Sequence, residues 1–307
     1  MTGREARTNN STTQDGVAMY LDQYKLEGTL NLDEHPCLFD PATYPDFLER
    51  YEQFKHFLLG AVGKQESRAI YKFGYGDYLF LTRQSEGSAS VGFRALNKPY
   101  DLIDHKQFEE GASCCDYYTC EIYPDHVARF KEVINRKIDF PAEYGYACVA
   151  NRWLFRTFAG KIGLIGADKK IAVIKRLMKT NTYQDYLGLE KFEDYISIPQ
   201  RFACDNLAET EQQVAEQLRQ STSKIFLVGI GHVKSGLLHR MKNYTNAVFL
   251  DVGQGLDAIA GLIDTEKPFF GNWINHRADE PALYEDIDYL SYLPYAFINS
   301  TIRSIKV

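Results

Sequence analysis

The sequence has 307 residues, of which 45% are hydrophobic and 25% are charged, and its formal net charge is −6. A chain of this length can bury a substantial core in one large domain or two small ones, and an acidic chain without a Lys/Arg block excludes a general nucleic-acid binder. No apolar run reaches about 18 residues and no N-terminal apolar segment precedes a small-residue cleavage site, so we expect no transmembrane segment and a cytoplasmic location, with peripheral attachment to a membrane partner left open.

The N-terminal part divides by composition. Residues 1–16 are polar, with almost nothing to bury, and are predicted to be disordered. Residues 17–66 show helical patterning and form a predicted helical lead-in to a domain that covers residues 67–307. The clearest element of the lead-in is a helix with a broad apolar stripe. That stripe comprises Phe47, Leu48, Tyr51, Phe54, Phe57 and Leu58.

The first predicted strand begins near Arg68 and runs into a glycine turn at 74–77, after which apolar sequence resumes. A carboxylate directly after a strand end, as Asp77 is, can reach a metal ion, a sugar hydroxyl or a ribose. Asp77 can equally be a turn or capping residue before a helix that begins near Tyr78, and the sequence leaves both interpretations open. Residues 84–104 are predicted to be a loop of the kind that often covers a substrate.

Two helices are predicted next, at 126–138 and 139–161, and Pro141 lies near the first turn of the second. Glu143 lies in that first turn, where it either interacts with the helix dipole or acts as a general base or in acceptor recognition. The six cysteines are Cys37, Cys114, Cys115, Cys120, Cys148 and Cys204. They lack the paired spacing and the nearby histidine of a zinc site and are expected to be reduced thiols.

From residue 161 onward, short apolar runs alternate with helical patterns. The candidate strands are 161–166, 194–199, 225–229 and 247–251. Short apolar runs without polar alternation are typical of strands that are buried on both faces of a parallel sheet. Their regular spacing, with helices between them, predicts an α/β fold with a Rossmann-like parallel sheet flanked by helices.

The stretch 224–257 carries the strongest ligand signals, because its two strands break abruptly into the glycine sequences GIGH and VGQG. Glycine at a strand end lets backbone N–H groups approach a phosphate, and the next helix adds a partial positive charge. His232, Lys234 and Ser235 follow the first turn, so an anionic ligand is predicted there; the alternative for His232 is a turn histidine bonded to a backbone carbonyl. Asp251 either binds a ribose or a metal ion or simply ends its strand.

Several common motifs are missing. Lys234 stands where the dinucleotide fingerprint G-x-G-x-x-G requires its third glycine, and the P-loop pattern does not occur. The absence of G-x-S-x-G lowers the expectation of a serine hydrolase. The segment VGQGLD at 252–257 is similar to the glycine-rich loop of S-adenosylmethionine-dependent methyltransferases, but that loop normally follows the first strand of its domain.

A set of segments from about residue 68 to 277 resembles the glycosyltransferases of the GT-D fold type, which act in bacterial surface-polysaccharide and protein-glycosylation pathways. The segments are IYKFGYGDYLFL, FPAEYGYACVANRWLF, KIGLIGADKKI, YISIPQRFACDN, IFLVGIGHVKSGLLHR, VFLDVGQGLDAIAGLID and PFFGNW. The resemblance implies transfer of a sugar from a nucleotide-sugar donor, usually a UDP-sugar such as UDP-galactose or UDP-glucose, to a glycan or glycoconjugate acceptor. In that family a strand-end FGDGE motif supplies carboxylates near the donor phosphates and a metal ion. Here Asp77 matches the second carboxylate and Tyr75 replaces the first, which leaves one matched ligand for Mn²⁺ or Mg²⁺.

These patterns combine into one predicted site over the carboxyl ends of the strands. If the metal is lost, Lys234, His232 and backbone N–H groups after Gly229 are expected to neutralise the diphosphate. The carboxylates expected to do acid–base chemistry are Asp77 and Glu143. The residues expected to bind the donor are Gly74, Tyr75, Gly76, Gly229, Gly231, His232, Lys234, Ser235, Asp251 and Gly253. A non-catalytic nucleotide- or sugar-binding protein and, less favoured, a methyltransferase are the alternative functions.

Overall fold

The structure, a computed structural model, describes residues 47–84, 103–121, 124–150, 152–199 and 203–262. Four sequence expectations lie outside these residues: the disorder of 1–16, the helical patterning of 17–46, most of the loop at 84–104, and the last segment of the family resemblance near 270. Within the described ranges, no helix has both the length and the apolar character that crossing a bilayer requires.

Seven parallel strands form one sheet in the described part of the chain, in the order β3-β2-β1-β7-β6-β4-β5. The strands are β1 (Arg68–Phe73), β2 (Tyr117–Cys120), β3 (Phe140–Pro141), β4 (Ile162–Ala167), β5 (Asp194–Ile198), β6 (Ile225–Gly229) and β7 (Val248–Asp251). The predicted Rossmann-like parallel sheet is therefore confirmed.

Helices connect the strands and cover both faces of the sheet. In chain order they are α1 (Phe47–Gly63), α2 (Tyr75–Leu81), α3 (His105–Ala112), α4 (Pro124–Val133), α5 (Ala142–Ala150), α6 (Trp153–Thr157), α7 (Asp168–Leu177), α8 (Asn181–Leu187), α9 (Leu207–Gln220), α10 (Val233–Met241) and α11 (Gln254–Ile259). Helix α1 confirms the predicted helical character for Phe47–Gly63, the described part of the region before the first strand.

The apolar side chains of each central strand alternate between two cores, one on each face of the sheet. In β1, Ile70 belongs to one core, while Tyr71 and Phe73 belong to the other. Helices α1, α5, α6, α7, α8 and α11 pack on the Ile70 side, and α2, α3, α4, α9 and α10 pack on the Tyr71 side. Burial on both faces explains why the central strands are apolar without a polar alternation.

The neighbouring strands β1 and β7 send their following helices to opposite faces. Helix α2 packs through Phe80 in the core on the Tyr71 side, and α11 packs through Leu256 in the other core. A crevice opens at the carboxyl edge of a parallel sheet wherever two adjacent connections diverge in this way, and such crevices are where ligands bind in open α/β sheets. The β1–β7 crevice is therefore the place where a ligand site is expected.

The structure differs from the sequence prediction in two places near this edge. The apolar sequence after the 74–77 turn is helix α2, which begins at Tyr75, so the capping interpretation of Asp77 describes the local structure. The single helix predicted at 139–161 is instead β3 followed by α5 and α6. The interruption occurs at Arg152, whose φ of 62° is left-handed and incompatible with a continuous helix.

Candidate functional site

The carboxyl ends of β1 and β7 and the start of α10 bring three predicted site residues into direct contact. The ammonium of Lys234 lies between two buried carboxylates, with Nζ 3.0 Å from Asp77 Oδ2 and 2.7 Å from Asp251 Oδ2. Lys234 Nζ also donates a hydrogen bond to the backbone carbonyl of Lys72. The Lys234 ammonium is thus surrounded by three protein oxygens, two in ion pairs and one in a hydrogen bond, which neutralise its charge inside the protein.

Asp77 caps the first turn of α2. Its Oδ2 accepts a 2.9 Å hydrogen bond from the backbone N–H of Gly74, which is the residue that precedes the helix. Burial alone would raise the pKa of Asp77, but the charge of Lys234 and the nearby imidazole of His232 lower it to about 2. A carboxylate held this strongly in its ionised form is a weak proton acceptor at neutral pH.

Asp251 ties β7 to β1 across the crevice. Its Oδ2 accepts a 3.1 Å hydrogen bond from the backbone N–H of Lys72, and its Oδ1 accepts a 2.9 Å bond from the backbone N–H of Gly253. Both oxygens of this carboxylate are therefore engaged with the backbone, in addition to the ion pair with Lys234. Asp251 ends its strand and organises the turn that follows it.

Lys72 is a second buried lysine at the same edge, and the sequence analysis did not identify it. Its Nζ lies 3.2 Å from Glu121 Oε1 and 5.6 Å from the ring centre of Tyr146. Burial alone would lower the pKa of Lys72, but Glu121 and Tyr146 raise it well above the ordinary value, so the ammonium is charged. The only sequence signal was a lysine inside the otherwise apolar strand RAIYKF.

The Lys72 ammonium lies beside the glycines that follow β1 and β7. A Cβ atom on Gly74 would approach Lys72 Nζ to 2.8 Å, and a Cβ atom on Gly253 would approach the Lys72 side chain to 3.4 Å. Gly253 also has a φ of 49°, which disfavours any residue with a side chain. The absence of side chains at these two glycines makes room for the buried, charged Lys72 side chain.

Glu121 has partners of its own besides Lys72. Its Oε1 accepts a 2.8 Å hydrogen bond from the hydroxyl of Tyr146, and its Oε2 lies 3.1 Å from Nδ1 of His126. Glu121 follows β2 and His126 lies in α4, so this group extends the charged edge from β1 toward β2. Sequence reasoning missed it because the residues are far apart along the chain.

The glycines of the β6 turn have two different roles. A Cβ atom on Gly229 would lie 2.6 Å from Cβ of Leu256, so this glycine allows α11 to pack against β6. Gly231 has a φ of 56°, in the left-handed region that the turn into α10 uses. Close packing and turn geometry therefore explain this pair of glycines without a ligand.

His232 and Ser235 face the protein interior. The ring of His232 stacks on Phe80 with 4.6 Å between ring centres, and its Nδ1 lies 3.8 Å from Asp77 Oδ1. The Ser235 hydroxyl shares a 2.8 Å hydrogen bond with the hydroxyl of Tyr71. His232 thus contributes to the surroundings of Asp77, whereas Ser235 joins α10 to β1.

Tyr75 stands at the rim of this edge. It is 44% exposed, while the aromatic rings of the cores are buried. The guanidinium of Arg129 lies 4.4 Å from its ring centre, and the His126 ring is nearly parallel to it at 6.3 Å. Gly76, the next residue, lies against His232, with 3.4 Å between its hypothetical Cβ atom and the imidazole.

Glu143 is buried in the first turn of α5, behind β2 and β3. Burial raises the pKa of the Cys120 thiol, and the Glu143 carboxylate raises it further, which places this charge close to the end of β2. Glu143 is one helical turn from Tyr146, the residue that contacts Lys72 and Glu121. The five cysteines within the described ranges are free thiols, as expected.

The donor set at Asp77 does not fit a divalent cation. Asp77 and Asp251 offer carboxylate oxygens, but the ammonium of Lys234 lies between them and bonds to both. Across the described residues, no group of three or more His, Cys, Asp or Glu side chains is arranged to hold a metal ion. The positive charge at this position is supplied by the protein itself.

No protein-family model matches the chain, and searches of curated proteins and of solved structures find no match.

Proposed function

We propose that this chain binds a nucleotide-sugar donor in the β1–β7 crevice and transfers its sugar to a glycan or glycoconjugate acceptor. The observation that carries the proposal is the charged Lys72 ammonium beside Gly74 and Gly253, at the diverging connections of two adjacent strands. A crevice of this kind is the usual ligand position in an open parallel sheet, and a buried ammonium suits a diphosphate. The sequence resemblance to GT-D glycosyltransferases supports the reaction class.

In this proposal the residues take separate roles. Lys72 receives the diphosphate, because Lys234 is already bonded to three oxygens. Tyr75, exposed at the rim, offers an aromatic surface for the base or sugar of the donor. Asp77 anchors the turn, since its low pKa makes it a weak base. Glu143 is then the candidate for the base that activates the acceptor hydroxyl.

A thermal-shift panel tests the binding step. Wild-type protein is titrated with UDP, GDP, CDP and S-adenosylhomocysteine, each with Mn²⁺ and with a chelator. We expect stabilisation by UDP that persists in chelator and approaches about 2.7 kcal/mol at ~100 times the dissociation constant. A response to S-adenosylhomocysteine alone would support the methyltransferase instead, although VGQG follows the seventh strand of the described sheet. The absence of a thermal shift with every ligand in the panel would contradict the proposal.

Matched lysine variants locate the binding site. Lys72→Met removes the proposed phosphate partner, and Lys242→Met removes a lysine that pairs with Asp116, which precedes β2, at 2.8 Å. We expect the UDP response to be lost in the first variant and kept in the second. Equal responses from both variants would place the ligand elsewhere.

One observation favours a non-catalytic binding protein as the second candidate. Lys234 and backbone N–H groups engage Asp77 Oδ2 and both oxygens of Asp251, and the low pKa of Asp77 makes it a weak proton acceptor. Release of UDP from UDP-glucose or UDP-galactose in the presence of glycan acceptors separates the two. Turnover that falls in Glu143→Gln supports transfer, whereas UDP binding without turnover supports the binding protein.

A further inference from the structure

The oxygens around Lys234 are of the types that bind hard metal ions. They are two carboxylate oxygens, from Asp77 and Asp251, and the carbonyl oxygen of Lys72. Carboxylate and carbonyl oxygens are the preferred ligands of Ca²⁺ and Mg²⁺ in proteins. We call these three atoms the oxygen cage.

Backbone N–H groups hold the oxygen cage in addition to Lys234. The N–H of Gly74 fixes Asp77, while the N–H groups of Lys72 and Gly253 fix the two oxygens of Asp251. The carbonyl belongs to strand β1, which pairs with β7 on one side and β2 on the other. The cage oxygens are therefore also positioned by the backbone framework.

The ammonium of Lys234, which belongs to helix α10, occupies the position inside the cage. Lys234 extends from the first turn of α10 and passes over the ring of Tyr71, with Nζ 4.7 Å from the ring centre. The Tyr71 hydroxyl in turn bonds to Ser235, the neighbour of Lys234, at 2.8 Å. The aromatic face favours the cation, and these contacts hold the lysine stem in one position.

We propose that Lys234 is the permanent cation of the oxygen cage, that it keeps divalent metals out, and that shortening its side chain converts the cage into a divalent-metal site. Distances from Nζ of 2.7 and 3.0 Å to the two carboxylates need the least contraction for Ca²⁺, which binds oxygen at about 2.3–2.6 Å, and more for Mg²⁺ at about 2.0–2.1 Å. Ca²⁺ is thus expected to bind the shortened variant more tightly than Mg²⁺. If the proposed function holds, the donor is bound without a metal.

Metal binding is measured directly on the full chain, without any nucleotide. Ca²⁺ and Mg²⁺ are followed by calorimetry and Mn²⁺ by its paramagnetic resonance signal, for wild type, Lys234→Ala and Lys234→Ala/Asp251→Asn. We expect Lys234→Ala to gain one site that binds at least about tenfold more tightly than wild type, and the added Asp251→Asn to weaken it by about tenfold. Lys242→Ala, which exposes a single carboxylate on Asp116, is the matched control and should gain no site.

Two results would overturn the proposal. One is a wild-type metal site that Asp251→Asn removes, because the cage would then hold a metal despite Lys234. The other is a folded Lys234→Ala protein that gains no metal site. If Lys234→Ala unfolds, the proposal requires that Ca²⁺ restores its folded circular dichroism spectrum, and failure to do so counts against it. Because no nucleotide is present, the outcome is separate from that of the proposed function.

Discussion

The two buried lysines at the β1–β7 edge differ in what surrounds their charge. Lys234 is bonded to three oxygens that are themselves fixed by the backbone. Lys72 has one carboxylate, Glu121, and the side chain of Tyr146 as partners, and it lies beside two glycines. The same residue type, buried to a similar degree, is therefore a structural counter-ion in one place and a candidate ligand contact in the other. What distinguishes them is the number of carboxylates beside the ammonium, two for Lys234 and one for Lys72.

The two lysines also differ in what their removal would leave unpaired. Lys234 in α10 contacts three other elements, β1, α2 and β7, so its loss leaves two buried carboxylates without a cation. Glu121, the partner of Lys72, keeps the Tyr146 hydroxyl and the His126 imidazole when Lys72 is removed. The fold should therefore tolerate the loss of Lys72 better than that of Lys234.

Substitution of the two lysines gives the largest expected effect. Lys234→Met should lower the free energy of unfolding by about 3–5 kcal/mol, because it leaves two buried carboxylates without their cation. Lys72→Met should cost about 1–3 kcal/mol, since Glu121 retains its other donors. Urea unfolding at pH 7 measures both changes. Lys242→Met, which removes a more exposed pair, is the control and should cost under about 1 kcal/mol.

Equal losses for Lys234→Met and Lys72→Met would break the comparison between the two lysines. The expected order of the two stability losses would be reversed if Lys72→Met unfolded the protein and Lys234→Met did not.

Acid should weaken the Asp77–Lys234 contact in a defined pH window. The pKa of Asp77 falls from its ordinary 3.8 to about 2 in the folded protein, so the unfolded chain binds this proton more readily. The resulting stability is complete above about pH 4 and is lost as the pH falls through 2; it amounts to about 2.5 kcal/mol. The difference in unfolding free energy between wild type and Asp77→Asn should shrink by about 2 kcal/mol between pH 6 and pH 2. A constant difference would show that Asp77 is not held by Lys234.

Gly229→Ala tests a glycine that the structure assigns to packing. Its new Cβ atom would lie 2.6 Å from Cβ of Leu256 and 3.2 Å from the carbonyl oxygen of Gly253, neither of which is a flexible side-chain end. Overpacking of this kind costs about 1–3 kcal/mol. The thermal midpoint should fall accordingly. A midpoint equal to that of wild type would mean that α11 can move away from β6 at little cost.

Gly74→Ala should have the smallest effect on the fold and a clear effect on the ligand. Its φ of −140° accepts alanine, and the new Cβ atom would meet only the flexible end of Lys72, at 2.8 Å. The loss of stability should be under about 1 kcal/mol, whereas displacement of the ammonium should weaken UDP about tenfold or more, as expected for a charged hydrogen bond. UDP titration by calorimetry measures the change, and unchanged affinity would remove Lys72 from the site.

Part of this architecture could be predicted from local sequence. The strands β4, β6 and β7 were predicted because each is a short apolar run that ends at glycine or aspartate, and that pattern directly reflects burial on both faces of a sheet. Strand β2, YYTC, was missed because it follows a polar segment and lacks the run of aliphatic residues that marks β4, β6 and β7. Asp77, Lys234 and Asp251 were predicted to lie at one edge of the sheet because parallel strands align their carboxyl ends.

The sequence by itself determined the α/β class, the parallel sheet and the edge at which charged residues gather, because these depend on the period of apolar residues and on glycine after strands. Only the tertiary structure decided that Lys234 is enclosed by oxygens, that Lys72 faces the glycines, and that Gly229 serves the packing of Leu256. The physical reason is that a lysine or glycine acquires its role from neighbours distant in the chain, as Lys72 does from Glu121 and Gly253. Such neighbours leave no periodic signal in the sequence.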